Sequence, residues 1–423
     1  MLEINSERLW NRIQVLGEIG STKDGGVTRL AFSKEDREAT DLVISWMREA
    51  GLEIWTDPVG NVFGKRKGKV QEPVILTGSH LDTVRNGGKF DGAAGVLSAL
   101  EVLQTLEDNN IETTLPIEMA IFVNEEGSRF AGGLMGSMAV AGLLPESILD
   151  EKDNEGISLA SALKEFGANP DRILASKRPS SEIAAFFELH IEQSQTLEEE
   201  NKPTGIVLGI AGPYQMKVRI FGRSGHAGAV AMNLRRDPMV AAGMIIQEVE
   251  RSAIEKAPTT RGTVGYIKAH PGGHNVIPEE VELTIDYRDI NLDTRDKVVN
   301  RIRDYINKVC DERGLKNEII VTQDTAPVPV KEEILEQMTA VAKELKIPFS
   351  KVTSGAAHDA MIMGRLCPIG MIFVRSINGL SHCPEEYSTK EDLSDGAQVL
   401  LYTVTNTANL KVNKNIISID EEI

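Results

Sequence analysis

The sequence predicts an α/β protein. A mixed, mainly parallel sheet between helices is interrupted by a smaller ferredoxin-like α+β domain. Three observations carry this expectation. The chain has 423 residues, too many for one ordinary domain. Toward both ends, short and nearly continuous apolar runs alternate with longer helical patterns, as strands covered on both faces do. In the middle, the runs alternate apolar and polar residues instead, as strands with one wet face do.

The strands expected in the outer parts are Pro73–Ser79 (PVILTGS), Pro116–Asn124 (PIEMAIFVN), Ala184–Leu189 and Ile369–Val374. The helices between them are Leu30–Ala50, Gly92–Leu106, Lys331–Leu345 and Lys390–Leu410. The polar segment Asp150–Ser181 reads as a helical insertion. In the middle, Gln215–Phe221 is an alternating strand, and Asp237-Pro238 starts a helix to Ile254. Strands Thr263–Ala269 and Val281–Tyr287 follow, then helix Leu292–Glu312 and strand Glu318–Gln323. That order, β-α-β-β-α-β, is the ferredoxin-like pattern. The domains are therefore 1–212 with 330–423, and an inserted 213–329. The crossings between them read as turns, Gly209–Gly212 and Ala326–Val330, and would allow the inserted domain to hinge.

The net charge of −17 argues against nucleic acid, whose binding needs a basic face. No apolar run approaches the roughly 18 residues of a membrane span. The stretch MLEINSERLWNRI has no basic segment followed by an apolar one, so no signal peptide is read. Cys310, Cys367 and Cys383 lack metal-knuckle or disulfide spacing, so the expected setting is the reducing cytoplasm. The acidic end SIDEEI reads as a solvated tail.

The chemistry concentrates at strand ends, where open α/β sheets place their sites. Pro73–Ser79 runs into His80-Leu81-Asp82, followed by Asp91 among glycines. Pro116–Asn124 runs into Glu125-Glu126, and Ala184–Leu189 into His190. His382 follows the last expected strand. Any one of these fits a structural role. Together His80, Asp91, Glu126, His190 and His382 offer nitrogen and oxygen donors suited to two first-row divalent cations. Asp91, between glycines that permit close approach, is the natural bridge. Asp82 is expected to accept the second imidazole N–H of His80. Glu125, left free beside a bound water, would be a general base.

The motifs GSHLDTV, KFDGAAGV, NEEGSRF, ELHIEQ and GLSHCPEE resemble the dinuclear metallohydrolases of the aminoacylase/carboxypeptidase superfamily. The branch most similar is the amidases: N-carbamoyl-L-amino acid hydrolases, allantoate amidohydrolases and β-ureidopropionases. The likeness spans nearly the whole chain. His190 separates this branch from the peptidase branch, which typically has an acid there. The resemblance implies a zinc-peptidase-like catalytic domain and a dimerisation, or lid, domain. One cation would take His80, Asp91 and His190, and the other Asp91, Glu126 and His382. The metals implied are zinc or manganese, with cobalt or nickel also compatible.

The same resemblance makes His226, in FGRSGHAG, a stabiliser of the tetrahedral intermediate reaching across from the partner of a homodimer. It makes Asn275 a substrate contact and Arg288 a clamp for the substrate carboxylate. Gln193 would meet the ureido or amide group. Gly355 would lie in an anion-holding substrate loop. His358 either contacts substrate or caps the following helix. Gln215 stands where allantoate-specific relatives often carry Arg, which tilts the reading away from allantoate. The expected activity is hydrolysis of an N-carbamoyl-L-amino acid to amino acid, CO2 and ammonia. Allantoate hydrolysis and β-ureidopropionase activity are the nearest alternatives. A dipeptidase, an N-acyl amidase or a non-catalytic metal-binding protein stand further off.

Overall fold

The structure, a computed structural model, describes residues 2–409. Leu410, the expected end of the last helix, and the acidic tail lie outside the described residues. Two compact units are present. One runs up to Val207, takes up Val330–Val352 and resumes at His358. The other comprises Leu208–Pro329 and Thr353–Ala357.

The first strands are β1 (Glu53–Thr56), β2 (Val62–Arg66), β3 (Val74–His80), β4 (Ile117–Phe122), β5 (Ile183–Ile191) and β6 (Thr204–Ile210). Next come β7 (Gly212–Phe221), β8 (Gly225–His226), β9 (Arg261–His270), β10 (Val276–Ile277), β11 (Glu280–Asp289), β12 (Lys316–Asp324) and β13 (Val328–Pro329). The chain closes with β14 (Phe349–Ser354) and β15 (Ile369–Val374).

In the first unit the strand order is β1-β2-β4-β3-β5-β15-β6, with β14 beside β6. Parallel pairs lie at the centre, in β3–β4, β3–β5 and β15–β5. The flanking pairs β1–β2, β2–β4 and β15–β6 are antiparallel. The short connection between β1 and β2 makes that pair antiparallel, whereas β3 reaches its parallel neighbour β4 through the helix Ala93–Asp108. β3, β4 and β15 are buried along their whole length, which is why their sequences are unbroken apolar runs.

The expected insertion is only partly helical. Leu159–Phe166 is α-helical, whereas Pro170–Ser176 and Ser180–Glu182 are 3-10 turns. The left-handed Gly167 ends the first piece, and Pro170 and Pro179 restart the chain. Leu159, Leu163, Phe166 and Ile173 anchor the segment against Phe32 and Phe130.

The second unit has strand order β12-β7-β11-β9, all antiparallel, as the ferredoxin-like pattern requires. Helix Pro238–Ile254 starts with Asp237 accepting Met239 N–H at 3.0 Å, and Asn291 caps Leu292–Glu312 through Thr294 N–H at 2.9 Å. Tyr214, Met216, Val218 and Ile220 of β7 join Val281, Leu283, Ile285 and Tyr287 of β11 in one core with both helices. The opposite face carries Gln215, Lys217 and Arg219 beside Thr284, Asp286 and Arg288. The crossings expected as turns are strand instead. Only Ala211 separates β6 from β7, and Val328 and Pro329 pair with Ile210 and Gly209.

One close approach fixes the centre of the main sheet. Gly78 in β3 has φ +148°, and a Cβ there would fall 2.1 Å from the Ala120 carbonyl oxygen of β4. Gly78→Ala is expected to destabilise by roughly 2–4 kcal/mol. Exposed Gly243, in a helix with open space around it, should gain about 0.5–1 kcal/mol as Ala. Thermal unfolding of both variants checks the contrast; equal melting temperatures would contradict it.

Candidate active site

The carboxyl ends of the central strands deliver the predicted residues. β3 ends on His80, and β5 carries His190 near its end. Glu125 and Glu126 follow β4 after Asn124, whose φ of +51° turns the chain. Asp91 precedes the helix Ala93–Asp108, and His382 lies in the loop after β15 with φ +59°. Gly92 is required where it stands. Its φ is +62°, and a Cβ would sit 2.4 Å from the His80 ring.

Asp91 is the centre. Its Oδ1 lies 3.1 Å from His190 Nε2 and 3.6 Å from His80 Nε2. Its Oδ2 lies 3.3 Å from His382 Nε2. Glu126 Oε1 is 3.5 Å from His382 Nε2, and Glu125 Oε2 is 3.6 Å from His80 Nε2. Asp91 belongs to two donor groups, His80–Asp91–His190 and Asp91–Glu126–His382, each with its atoms within 4.8 Å of one another. Glu125 belongs to neither. His80 Nδ1 faces the Asp82 carbonyl at 3.0 Å, and His190 Nδ1 faces the Ile191 carbonyl at 3.0 Å. A carbonyl only accepts, so each neutral ring holds its proton outward and presents Nε2 as a lone pair.

The electrostatics suit a cationic occupant. Burial alone would raise the Asp91 carboxyl, but the His190, His382 and His80 rings reverse this and hold it well below the ordinary range. Burial and the neighbouring acids push Glu125 well above its ordinary value, and push Glu126 up to about 8. Asp91 hydrogen-bonds His382 and raises it to about 9; it also raises His190 to about 9 against burial. Glu126 Oε1 is buried without a hydrogen-bond partner. A buried group of acids flanked by lone-pair imidazoles, with one orphaned oxygen aimed inward, fits two divalent cations.

Asp82 departs from expectation. Its carboxylate is 3.7 Å from His80 Nδ1, too far for a hydrogen bond, and its backbone carbonyl takes that proton. The carboxylate instead accepts Glu125 N–H and Glu126 N–H, each at 3.1 Å. It therefore sets the backbone of the acid pair. Gln193 donates Nε2–H to Asp91 Oδ2 at 2.8 Å, and its Oε1 is buried without a partner. His358 does not cap its helix through its side chain. It is buried, with its ring 4.4 Å from that of His190.

Two acids escaped the sequence reading. Glu386 accepts N–H from Phe90 at 2.9 Å, Asp91 at 3.0 Å and His382 at 3.3 Å, and accepts Ser381 Oγ–H at 2.9 Å. Glu188 accepts Ser79 Oγ–H at 2.7 Å and Ala360 N–H at 2.9 Å. The only sequence hint was the second Glu of GLSHCPEE and the Glu two residues before His190.

The remaining predicted residues lie in the second unit. His226 is exposed, and its Nδ1 accepts Gly228 N–H at 3.1 Å, so the neutral ring carries its proton on Nε2. Asn275 is beside it, its carbonyl accepting Ala227 N–H at 2.8 Å. Arg288 is already engaged. Asp286 grips its Nε and Nη2 at 3.0 and 2.9 Å, and the Gly355 carbonyl takes Nη1 at 2.7 Å. Gln215 donates Nε2–H to the same Asp286 at 2.9 Å.

Residues 76–406 match the peptidase family M20/M25/M40, and the chain belongs to that family. It is 48% identical to an N-carbamoyl-L-amino acid amidohydrolase of Geobacillus stearothermophilus, over 96% of this chain and 99% of the relative. It is 46% identical to one from Pseudomonas sp. (strain NS671), over 95% and 98%. Among solved structures, an amidase of the hydantoinase/carbamoylase family from Burkholderia multivorans superposes with TM-score 0.89 at 35% identity, covering 97% of this chain and 100% of the other.

Asp82→Asn tests how the acid pair is held. The amide can accept only one of the two backbone N–H groups and sets its NH2 against the other. A loss of roughly 1–3 kcal/mol is expected. Metal affinity should fall about 10–100-fold. Thermal unfolding and metal titration check both; a neutral variant would show that the acid pair holds itself.

Proposed function

We propose that this protein is a metal-dependent amidohydrolase that cleaves the ureido C–N bond of N-carbamoyl-L-amino acids, giving amino acid, CO2 and ammonia. The observation that carries the reading is Asp91 shared between two donor groups, with Glu125 next to both and part of neither. The names of the full-length relatives support the ureido substrate class. In this reading His80, Asp91 and His190 hold one cation, and Asp91, Glu126 and His382 the other. Zinc or manganese suits the mixed donors, as do cobalt and nickel.

The chemistry that two bound cations supply is Lewis-acid polarisation and a lowered pKa for water. The chain's residues do the rest. Glu125 takes the proton of the attacking water and returns it to the departing nitrogen. Gln193 offers its unpaired Oε1 to a ureido N–H. His226 donates Nε2–H to the developing oxyanion, worth about 2.7–4 kcal/mol. Arg288 keeps one N–H on each Nη for the substrate carboxylate, and Asn275 and the Gly355 loop line the same substrate.

The active form is a homodimer through the second unit. Strand geometry supports it. Arg288 pairs with Pro213 at the start of β7, whereas β8 and His226 follow its end at Phe221. At about 3.4 Å per residue, β7 alone separates them by roughly 27 Å. A separation of that order favours a His226 supplied by the partner subunit. The cytoplasm is the inferred setting, supported by three free cysteines; among the described residues no helix is long and apolar enough to cross a membrane.

Glu125→Gln should keep the metal content and lose turnover by at least about 100-fold in ammonia release. Normal turnover would overturn the base assignment. N-carbamoyl-α-amino acids should be preferred over N-carbamoyl-β-alanine and allantoate in the same assay; a preference for either of the latter would replace the substrate. Glu125→Gln and His226→Ala subunits, each inactive alone, should regain about a quarter of wild-type activity when mixed, because half of random dimers carry one intact site. A mixture that stays inactive would place His226 in its own subunit's site.

A further inference from the structure

The second unit holds a cation that the reaction above does not use. Arg261 opens β9 and stands directly opposite Arg288 across the β9–β11 ladder, so both side chains leave the same face. That face forms an open cavity of about 600 Å³ lined by both arginines, Gln215, Thr263, Asp286 and Gly355. Like charges directly opposite in a sheet are destabilising. The acid in this cavity, Asp286, is spent on Arg288 and Gln215. Among the described residues no carboxylate pairs with Arg261. Its Nη1 is held by the carbonyls of Pro258 and Thr260, the latter at 3.1 Å. Both are acceptors in its own turn, so they fix the guanidinium without neutralising it. Its Nε–H and Nη2–H edge, the edge that takes a carboxylate bidentately, remains available.

The donor inventory thus separates the two arginines. Arg288 is positioned by Asp286 and Gly355 and has its terminal N–H groups left for one carboxylate. Arg261 has its side edge left for another. We propose that Arg261 is a second anion-binding point of the substrate site, reading a carboxylate on the side chain of the N-carbamoyl amino acid. The substrate class so defined is the N-carbamoyl dicarboxylic amino acids. This rests on the reading that Arg288 takes the α-carboxylate.

The test compares N-carbamoyl-L-glutamate with its neutral isostere N-carbamoyl-L-glutamine. The metal-loaded wild type should favour the glutamate compound in kcat/KM. Arg261→Gln should reduce that ratio roughly tenfold to a hundredfold, the worth of a hydrogen bond to a charged group, and through KM rather than kcat. Calorimetric binding of both compounds to Glu125→Gln, with and without Arg261→Gln, should show the same ratio without turnover. A wild type that turns over the glutamine compound but does not favour glutamate overturns the inference and leaves the proposed function standing. So does an Arg261→Gln protein that loses both compounds equally, which would give Arg261 to the α-carboxylate or to the fold. Ammonia released from neither compound overturns the inference, and the ureido-acid reading falls with it only if the other N-carbamoyl-α-amino acids also release none.

Discussion

Asp91, a buried carboxylate faced by three imidazoles, is the constraint on which the rest of the site depends. Burying a charge is expensive unless it is paired, and here the pairing comes from His80, His190 and His382 rather than from Lys or Arg. Glu125 and Glu126 crowd the same space, and their carboxyls are pushed up as a result. With protons alone the cluster is a compromise: Glu125 and Glu126 are pushed toward the neutral form and His190 and His382 toward the charged one, while Asp91 stays ionised and burial lowers His80. Cations convert it, because the ligands must be ionised acids and neutral rings. The fold therefore stores acidity that only positive charge at the centre can release, and Glu125 is the acid left over to use it.

Holding that cluster together falls to carboxylates that take no part in it. Asp82 accepts the backbone N–H groups of Glu125 and Glu126. Glu386 accepts those of Phe90, Asp91 and His382, so one side chain sets two loops at once. Such anchoring explains how left-handed non-glycine residues gather here. Asn124, Gln193 and His382 have φ of +51°, +58° and +59°. Each is a modest backbone cost that persists only where its surroundings over-determine it. The carboxylates supply that over-determination around Asn124 and His382, and Ser376 Oγ, accepting the Gln193 N–H at 3.1 Å, supplies it at Gln193.

How much of this the sequence showed follows from the range of each interaction. Strands such as Ile369–Val374 were legible to the residue because both faces are buried and the run is unbroken. The β-α-β-β-α-β order was legible from alternation, since one face meets helices and the other does not. His80, His190 and Glu126 stood out because they lie at or just past strand ends, whereas Asp91 and His382 lie in loops further on and stood out through their glycine- and histidine-bearing motifs. Glu386 was not, since its partners Phe90 and Asp91 are nearly 300 residues away. Asp82 was assigned the wrong partner for the same reason: the acid pair it holds comes from the next strand's end, whereas His80 is its neighbour in sequence. The interrupted segment 150–181 misled because its composition is helical while its prolines and glycines are not.

The overall charge of −17 and an anionic substrate are reconciled by the second unit's sheet. The side of β7 and β11 that meets the helices is largely apolar, with Asp289 at the end of β11 the charged exception, so most of the ionic residues of these two strands lie on the other face. There they are ordered by strand register. At one end of the face Arg219 pairs with both Glu280 and Glu318, so acids outnumber the base there. At the other end Arg261 and Arg288 oppose each other with Asp286 as the acid that pairs with Arg288. The same sheet face thus has an acid-rich end and a positive end separated by the length of a strand. Selection of an anion by an acidic protein needs no global field, only one row of a sheet where acids are outnumbered and the donors that remain point the same way.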